Sequence, residues 1–300
     1  MMNWKKTVLA VLAFVAFGAQ YATAQINILN AEKPEDLGKL SAEDSISSNK
    51  PIPYGYVSAR DVLWQKRVWE FIDLDERVNF PLYYPTDTMR IGTNRRALFS
   101  VLVNGFKEGK LDVYDDSYFT TKLEDYNEVE YRLKKKDTLD VAFDFMNANP
   151  GEPLPEGYVV ETNVKPSDIQ GYKIMGVWYF DKKQGELKYR LKGICPVSRD
   201  VNFLDAEDGT FVELFWVWYP TARQIMYDSK AFNERNSATP ISFDHLLNSR
   251  RFNATIYKVE NVYGDREIEE YIQDNALFQL LESDRIKEQI RDMEQDMWTY

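Results

Sequence analysis

His245 and Cys195 are the single histidine and the single cysteine among 300 residues, so a proton shuttle or a thiolate nucleophile would have to be one of them. Histidine is the usual shuttle near neutral pH. His245 lies in "SFDHLLNSR", on a helix expected to begin near Ser242, and no nucleophile motif accompanies it. That context points to a helix-face or capping role. Cys195, in "GICPVSRD", leaves a strand beside Pro196 and reads as a small buried hydrophobe. A catalytic thiol would need a lowered pKa, which no residue type in this stretch announces. One cysteine, one histidine and scattered carboxylates match no zinc spacing. "LDAEDGTF" resembles a calcium loop only superficially: with Gly209 as the sixth residue, the first ligand position falls on Leu204. A tight turn between strands is expected there instead. No glycine-rich phosphate cradle is present. The 48 acids leave a glycosidase-type carboxylate pair open, because sequence does not give the separation of two carboxyls. The expectation is therefore no catalytic, cofactor or metal residues.

The surplus is in large apolar side chains. "LFWVWYP", Leu214 to Pro220, puts six of them in a row. In an extended chain Val212, Leu214, Trp216 and Trp218 share one face, and Phe211, Phe215, Val217 and Tyr219 the other, as in a central strand covered on both sides. Aromatic and methionine residues are enriched in the centres of subunit interfaces, and they also fill cores. Trp216, Trp218, Tyr219, Met293, Met297 and Trp298 are the candidate interface residues on this reading.

The elements that must position them start late in the chain. Residues 1–24 carry Lys5 and Lys6, an apolar run from Val8 to Phe17 and then Ala22-Thr23-Ala24, the pattern of a cleaved export signal. The run is shorter than the about 20 residues that span a bilayer, and a soluble periplasmic chain starting near Gln25 is expected. Without the two lysines, 35 bases stand against 48 acids, a net −13 that repels nucleic acid and anionic membranes. A lone cysteine cannot form an internal disulfide, so stability must come from a core. Residues 25–57 are polar, with Pro34, Pro51 and Pro53, and read as an extended or disordered arm, or one that orders against a neighbouring subunit.

Ser58 to Asp61 reads as a capping box, and Trp64, Val68, Phe71 and Ile72 form a stripe with Lys66, Glu70 and Asp73 opposite, which predicts an amphipathic helix. A second helix is predicted over roughly Asn94 to Glu108 and should end at Gly109. "KLDVYD" looks like the first strand. The charge-rich run 112–144 reads as a solvated face or a docking patch, and 147–157 as a loop and possible seam. "YKIMGVWYF" and "ELKYRLKGI" predict a hairpin, its return strand alternating dry Leu187, Tyr189 and Leu191 with charged neighbours. The tail from Asp265 is helical, but Leu277, Leu280 and Leu281 lie opposite Ile286, Ile290, Met293 and Met297. Either Ser283 starts a new helix, or one long helix is gripped on two sides. The fold class is α+β: an antiparallel meander, around 172–219, flanked by amphipathic helices, with an N-terminal arm and a helical C-terminal tail.

"FIDLDERVNFPLYYP" (Phe71 to Pro85), "RRALFSVLVNGFKEGKLDVYDD" (Arg95 to Asp116) and "YRLKGICPV" with "LFWVWYP" resemble the GldN/PorN family of gliding motility and type IX secretion. The resemblance covers most of residues 58–300. It departs at Asp75-Glu76-Arg77, where the family usually carries Arg-Glu-Lys. It implies a non-catalytic periplasmic subunit, forming a ring with an outer-membrane lipoprotein (GldK or PorK) and with other copies of itself. A GldL/GldM-type motor would be a further partner. The second face of the Leu214 stretch would then be covered by the chain's own helices or by the ring partner. An alternative is a periplasmic hydrolase or glycan-binding protein that uses surface aromatics and carboxylates.

Overall fold

A computed structural model describes residues 50–87, 95–149, 157–203, 210–233, 241–273 and 275–298. Residues Pro53–Tyr300 gather into one compact unit, to which every element below belongs. The expected export signal, most of the arm, the turn at 204–209 and residues 150–156 of the expected seam lie outside the described residues. In chain order the elements are β1 (Val62–Asp73), α1 (Phe80–Tyr83), α2 (Leu98–Lys107), β2 (Val113–Tyr114), β3 (Lys122–Leu123), α3 (Asn127–Leu133), β4 (Lys134–Thr138), α4 (Asp140–Ala148), β5 (Val159–Asn163), β6 (Ile169–Asp181), β7 (Glu186–Arg199), β8 (Phe211–Glu213), β9 (Trp216–Trp218), α5 (Tyr219–Asp228), β10 (Lys230–Ala231), β11 (Ile241–Ser242), α6 (Phe243–Asn248), β12 (Thr255–Val259), α7 (Ile268–Tyr271) and α8 (Ala276–Trp298).

Eight strands form one sheet in the order β12-β1-β6-β7-β9-β2-β3, with β8 and β9 end to end along the same edge of β7. All of its pairings are antiparallel. Period-2 alternation then assigns the side chains. Ile174, Ile194 and Val217 enter the main core beneath α2, α5 and α6, through Leu102, Met226 and Leu247 among others. Their neighbours Met175, Cys195 and Trp216 point to the other face and join Trp69. Farther along, Val68 of β1 and Ile256 of β12 meet Ile286 and Ile290 of α8. The architecture is α+β, as expected.

The predicted helix over 58–73 is a strand. Residues 59–61 make a single 3₁₀ turn without a side-chain cap, and β1 then pairs with β6 over most of its length and with β12. Trp64, Val68 and Ile72 are spaced by four, and a spacing of four keeps residues on one face of a strand as well as of a helix. The odd-numbered Trp69 and Phe71 belong to the opposite face, and from Val68 onward both faces are largely covered, so the apolar residues do not alternate strictly there. The abundance of β-branched and aromatic residues in "VLWQKRVWEFID" was the signal that favoured strand.

Other expectations land closer. α2 ends in a Schellman motif: the Gly109 N–H donates to Phe106 O and the Lys110 N–H to Gly105 O, both at 2.9 Å, with Gly109 at φ +66°. The hairpin of β6 and β7 forms in register from Phe180↔Leu187 to Lys173↔Cys195, with one bulge. "KLDVYD" supplies the two-residue β2, second in chain order because β1 precedes it. The expected continuous strand at 211–219 is instead broken into β8 and β9, separated by Leu214 and Phe215. Tyr219 already begins α5, whose first turn accepts Pro220 because an N–H there would lack a partner anyway.

Candidate functional site

The two-way stripe of the tail resolves into one continuous helix gripped on one side only. On α8, Ile286 and Ile290 are 2% and 5% exposed against Val68, Ile256 and Val259. Ser283 is also buried, and its hydroxyl accepts the Ile256 N–H at 2.9 Å, tying the middle of α8 to β12. Lys287 Nζ donates to Ala254 O at 2.9 Å one turn later. The other face of the first turns carries Leu277, Phe278, Leu280 and Leu281, exposed by 64, 55, 47 and 53%. Four adjacent large apolar residues about half exposed form a patch, which distinguishes them from the single exposed hydrophobics common on any surface. At 100° per residue Asp284 and Glu288 continue the line of Leu277 and Leu281, so the outward face runs from apolar to acidic.

The sequence-selected interface residues fare differently. Trp216 and Tyr219 are fully buried in the chain's own core and present no surface, which corrects their expected place at an interface. Trp216 Nε1 donates to Glu213 Oε2 at 2.7 Å, and Lys173 binds the other oxygen at 2.7 Å. Tyr219 Oη donates to Asp244 Oδ1 at 2.9 Å. Both faces of the Leu214 stretch are thus covered from within the chain. Trp218 is half-buried, edge-on to Phe119 with ring centroids 4.7 Å apart and below Lys192 Nζ. Met293 and Met297 are half-buried on α8, and Trp298 is its last residue. The apolar surface comes from the leucines of the tail stripe, together with Phe278, which the stripe reading did not include.

Two buried carboxylates anchor the loops around the sheet. Glu70, on the core side of β1, is held by Arg250 through two 2.9 Å bonds, and Arg250 stacks against the rings of Tyr189, Trp178 and Phe252. Asp244 accepts from Arg223 Nε and Nη2, from Tyr219 and from Asn248. Asn248 in turn accepts the Tyr54 hydroxyl at 2.7 Å, and Arg223 and Arg190 lie over the Tyr54 ring. Burial pushes the Tyr54 hydroxyl up to about 12, against the opposing pull of Arg223. The last residues of the expected arm are therefore pinned at Tyr54.

The family model for the gliding motility associated protein GldN matches residues 57–299, most of the chain. The chain belongs to the GldN family. No curated protein matches it. The GldN family is associated with the gliding and secretion machinery. Within this GldN domain, burial with added repulsion from Glu213 pushes the Cys195 thiol well above its ordinary value, the reverse of an activated nucleophile. His245 is exposed on α6, where its backbone N–H donates to the capping Ser242 Oγ at 3.2 Å. Among the described residues no group of three or more His, Cys, Asp or Glu is placed to hold a metal ion. No described helix is long and apolar enough to cross a membrane.

Proposed function

We propose that this GldN protein is a non-catalytic structural subunit of the type IX secretion and gliding machinery. It is exported to the periplasm and assembles with a GldK/PorK-type outer-membrane lipoprotein into a ring under the outer membrane, working with a GldL/GldM-type motor. Its mechanism is assembly: one heterologous contact, repeated by identical copies, closes into a ring when the rotation per copy divides a full turn. The observation that carries this reading is the family match across 57–299. The uncovered apolar stripe of α8 supports it, since a patch of that kind marks an interaction surface.

The test is to purify the chain from Gln25 onward, with and without the lipoprotein, and measure the mass of what elutes. Co-elution in an assembly of many chains is expected. A chain that never retains the lipoprotein would remove the main support.

A further inference from the structure

A second surface of the same domain has the features that α8 lacks. A groove of about 780 Å³ runs between α1, the segment after β10 and the segment after α6. Its walls include Phe80, Tyr84, Phe232, Ile241 and Phe252, and among the described residues arginines but no carboxylate line it. Arg250 is already bound to Glu70. Exposed Arg251 carries positive charge at the rim, and Arg95 lies over the Phe232 ring with its guanidinium carbon 5.0 Å from the centroid. An apolar trough with a basic rim suits an amphipathic helix whose apolar stripe is flanked by acids.

The chain carries such a helix. α8 shows Leu277, Phe278, Leu280 and Leu281 outward, with Asp284 and Glu288 next along the same line, each in a long, solvent-exposed ion pair on the helix itself, with Lys287 at 3.8 Å and Arg291 at 3.7 Å. From Glu267 to Trp298 the sequence holds ten acids against Arg285, Lys287 and Arg291. The opposite face of α8 is fixed to β12 through Ser283 and Ile286. The stripe is therefore presented by a rigid element and does not have to be ordered on binding, which lowers the entropic cost of docking.

We infer that the outward stripe of α8 docks into the Phe80–Phe232–Phe252 groove of a second copy of this chain. The two surfaces are different patches, so the contact is head-to-tail and can propagate from copy to copy. The inference rests on the ring reading above and supplies the self-contact that reading requires.

Two variants test it. Leu277→Asp with Leu281→Asp removes the stripe and keeps the groove; Phe232→Asp with Arg251→Glu removes the groove and keeps the stripe. By sedimentation, the unmodified chain should form species at multiples of one chain. Each variant alone should stay at the mass of one chain, its self-association weakened at least about tenfold. Mixed, the two should form a one-to-one pair and nothing larger, because one functional stripe meets one functional groove. Formation of that pair also shows that both variants fold; should either unfold, Leu281→Ser and Arg251→Gln replace them. Variants that assemble as the unmodified chain does, a mixture that stays unpaired, or an unmodified chain that never self-associates would each overturn the inference. So would loss of lipoprotein capture by the stripe variant with self-association intact, an outcome that leaves the ring reading standing. Failure of the unmodified chain to retain the lipoprotein sinks that reading instead, while the mixing result still scores the contact.

Discussion

Glu70 is 1% exposed, and its charge is held chiefly by Arg250, which meets both of its oxygens, with the Tyr189 hydroxyl donating to one of them at 3.4 Å. Removing one partner of a buried pair leaves an uncompensated charge in a medium that solvates it poorly, at a cost of about 3–5 kcal/mol. Arg250→Ala is therefore expected to lower the unfolding free energy by about that amount, and Glu70→Leu on the same background should recover much of it. Urea unfolding of the two variants measures both. A loss below about 1 kcal/mol for Arg250→Ala would place the pair among exposed bridges instead. Neither partner was legible in the sequence: the helical spacing put Glu70 with Lys66 and Asp73 on a wet face, and Arg250 lies 180 residues away. Cys195 was legible because its apolar neighbours in the same strand define its surroundings, whereas a buried ion pair is defined by a distant element.

At the level of elements, sequence discriminates where one face is wet. β7 alternates Leu187, Tyr189 and Leu191 with charged residues, and it was readable as a strand for that reason. β1, covered on both sides only from Val68 onward and with the apolar Leu63 on its exposed face, carried no such contrast, and its spacing of four fitted either period. The reversal of the stripe on α8 was also readable, because Leu277 and Ile286 lie on opposite sides of any helix drawn through both. Which of the two sides the domain would grip depended on β12, and no local pattern contains that. The pairing of β6 with β7 shows the same dependence on distant groups. A Cβ built on Gly176 would lie 2.2 to 2.6 Å from atoms of the Tyr189 ring, which crosses over that glycine and is itself stacked by Arg250. Gly176→Ala must push the ring aside, at about 1–3 kcal/mol by analogy with other overpacked sites. Unfolding midpoints should show that loss, and Tyr189→Leu should make the alanine nearly harmless. An equal loss on both backgrounds would show that the ring is not what the glycine accommodates.

For the whole molecule, charge opposes the assembly that shape invites. The full chain carries a formal −11, with a pI near 4.8, and the chain from Gln25 onward −13, so copies repel one another at a distance. The proposed contact places the acidic end of α8 beside Arg251, a local attraction inside a global repulsion. These two terms respond to salt over different ranges. Net repulsion acts across whole domains and is cut strongly as the screening length falls from about 30 Å at 0.01 M to about 8 Å at 0.15 M. Pairs in contact at the rim of an interface, partly shielded from solvent, lose much less over that range and weaken mainly toward 1 M, where the screening length is about 3 Å. The apolar part of the contact does not depend on charge screening. Self-association is thus expected to strengthen from about 0.01 to 0.15 M salt and to weaken only partly at 1 M, as sedimentation across that series would show. Arg251→Gln should flatten the decline at high salt without abolishing the rise at low salt. A monotonic weakening from the lowest salt upward would mean that opposite charges across the contact, and not leucines under net repulsion, hold the copies together.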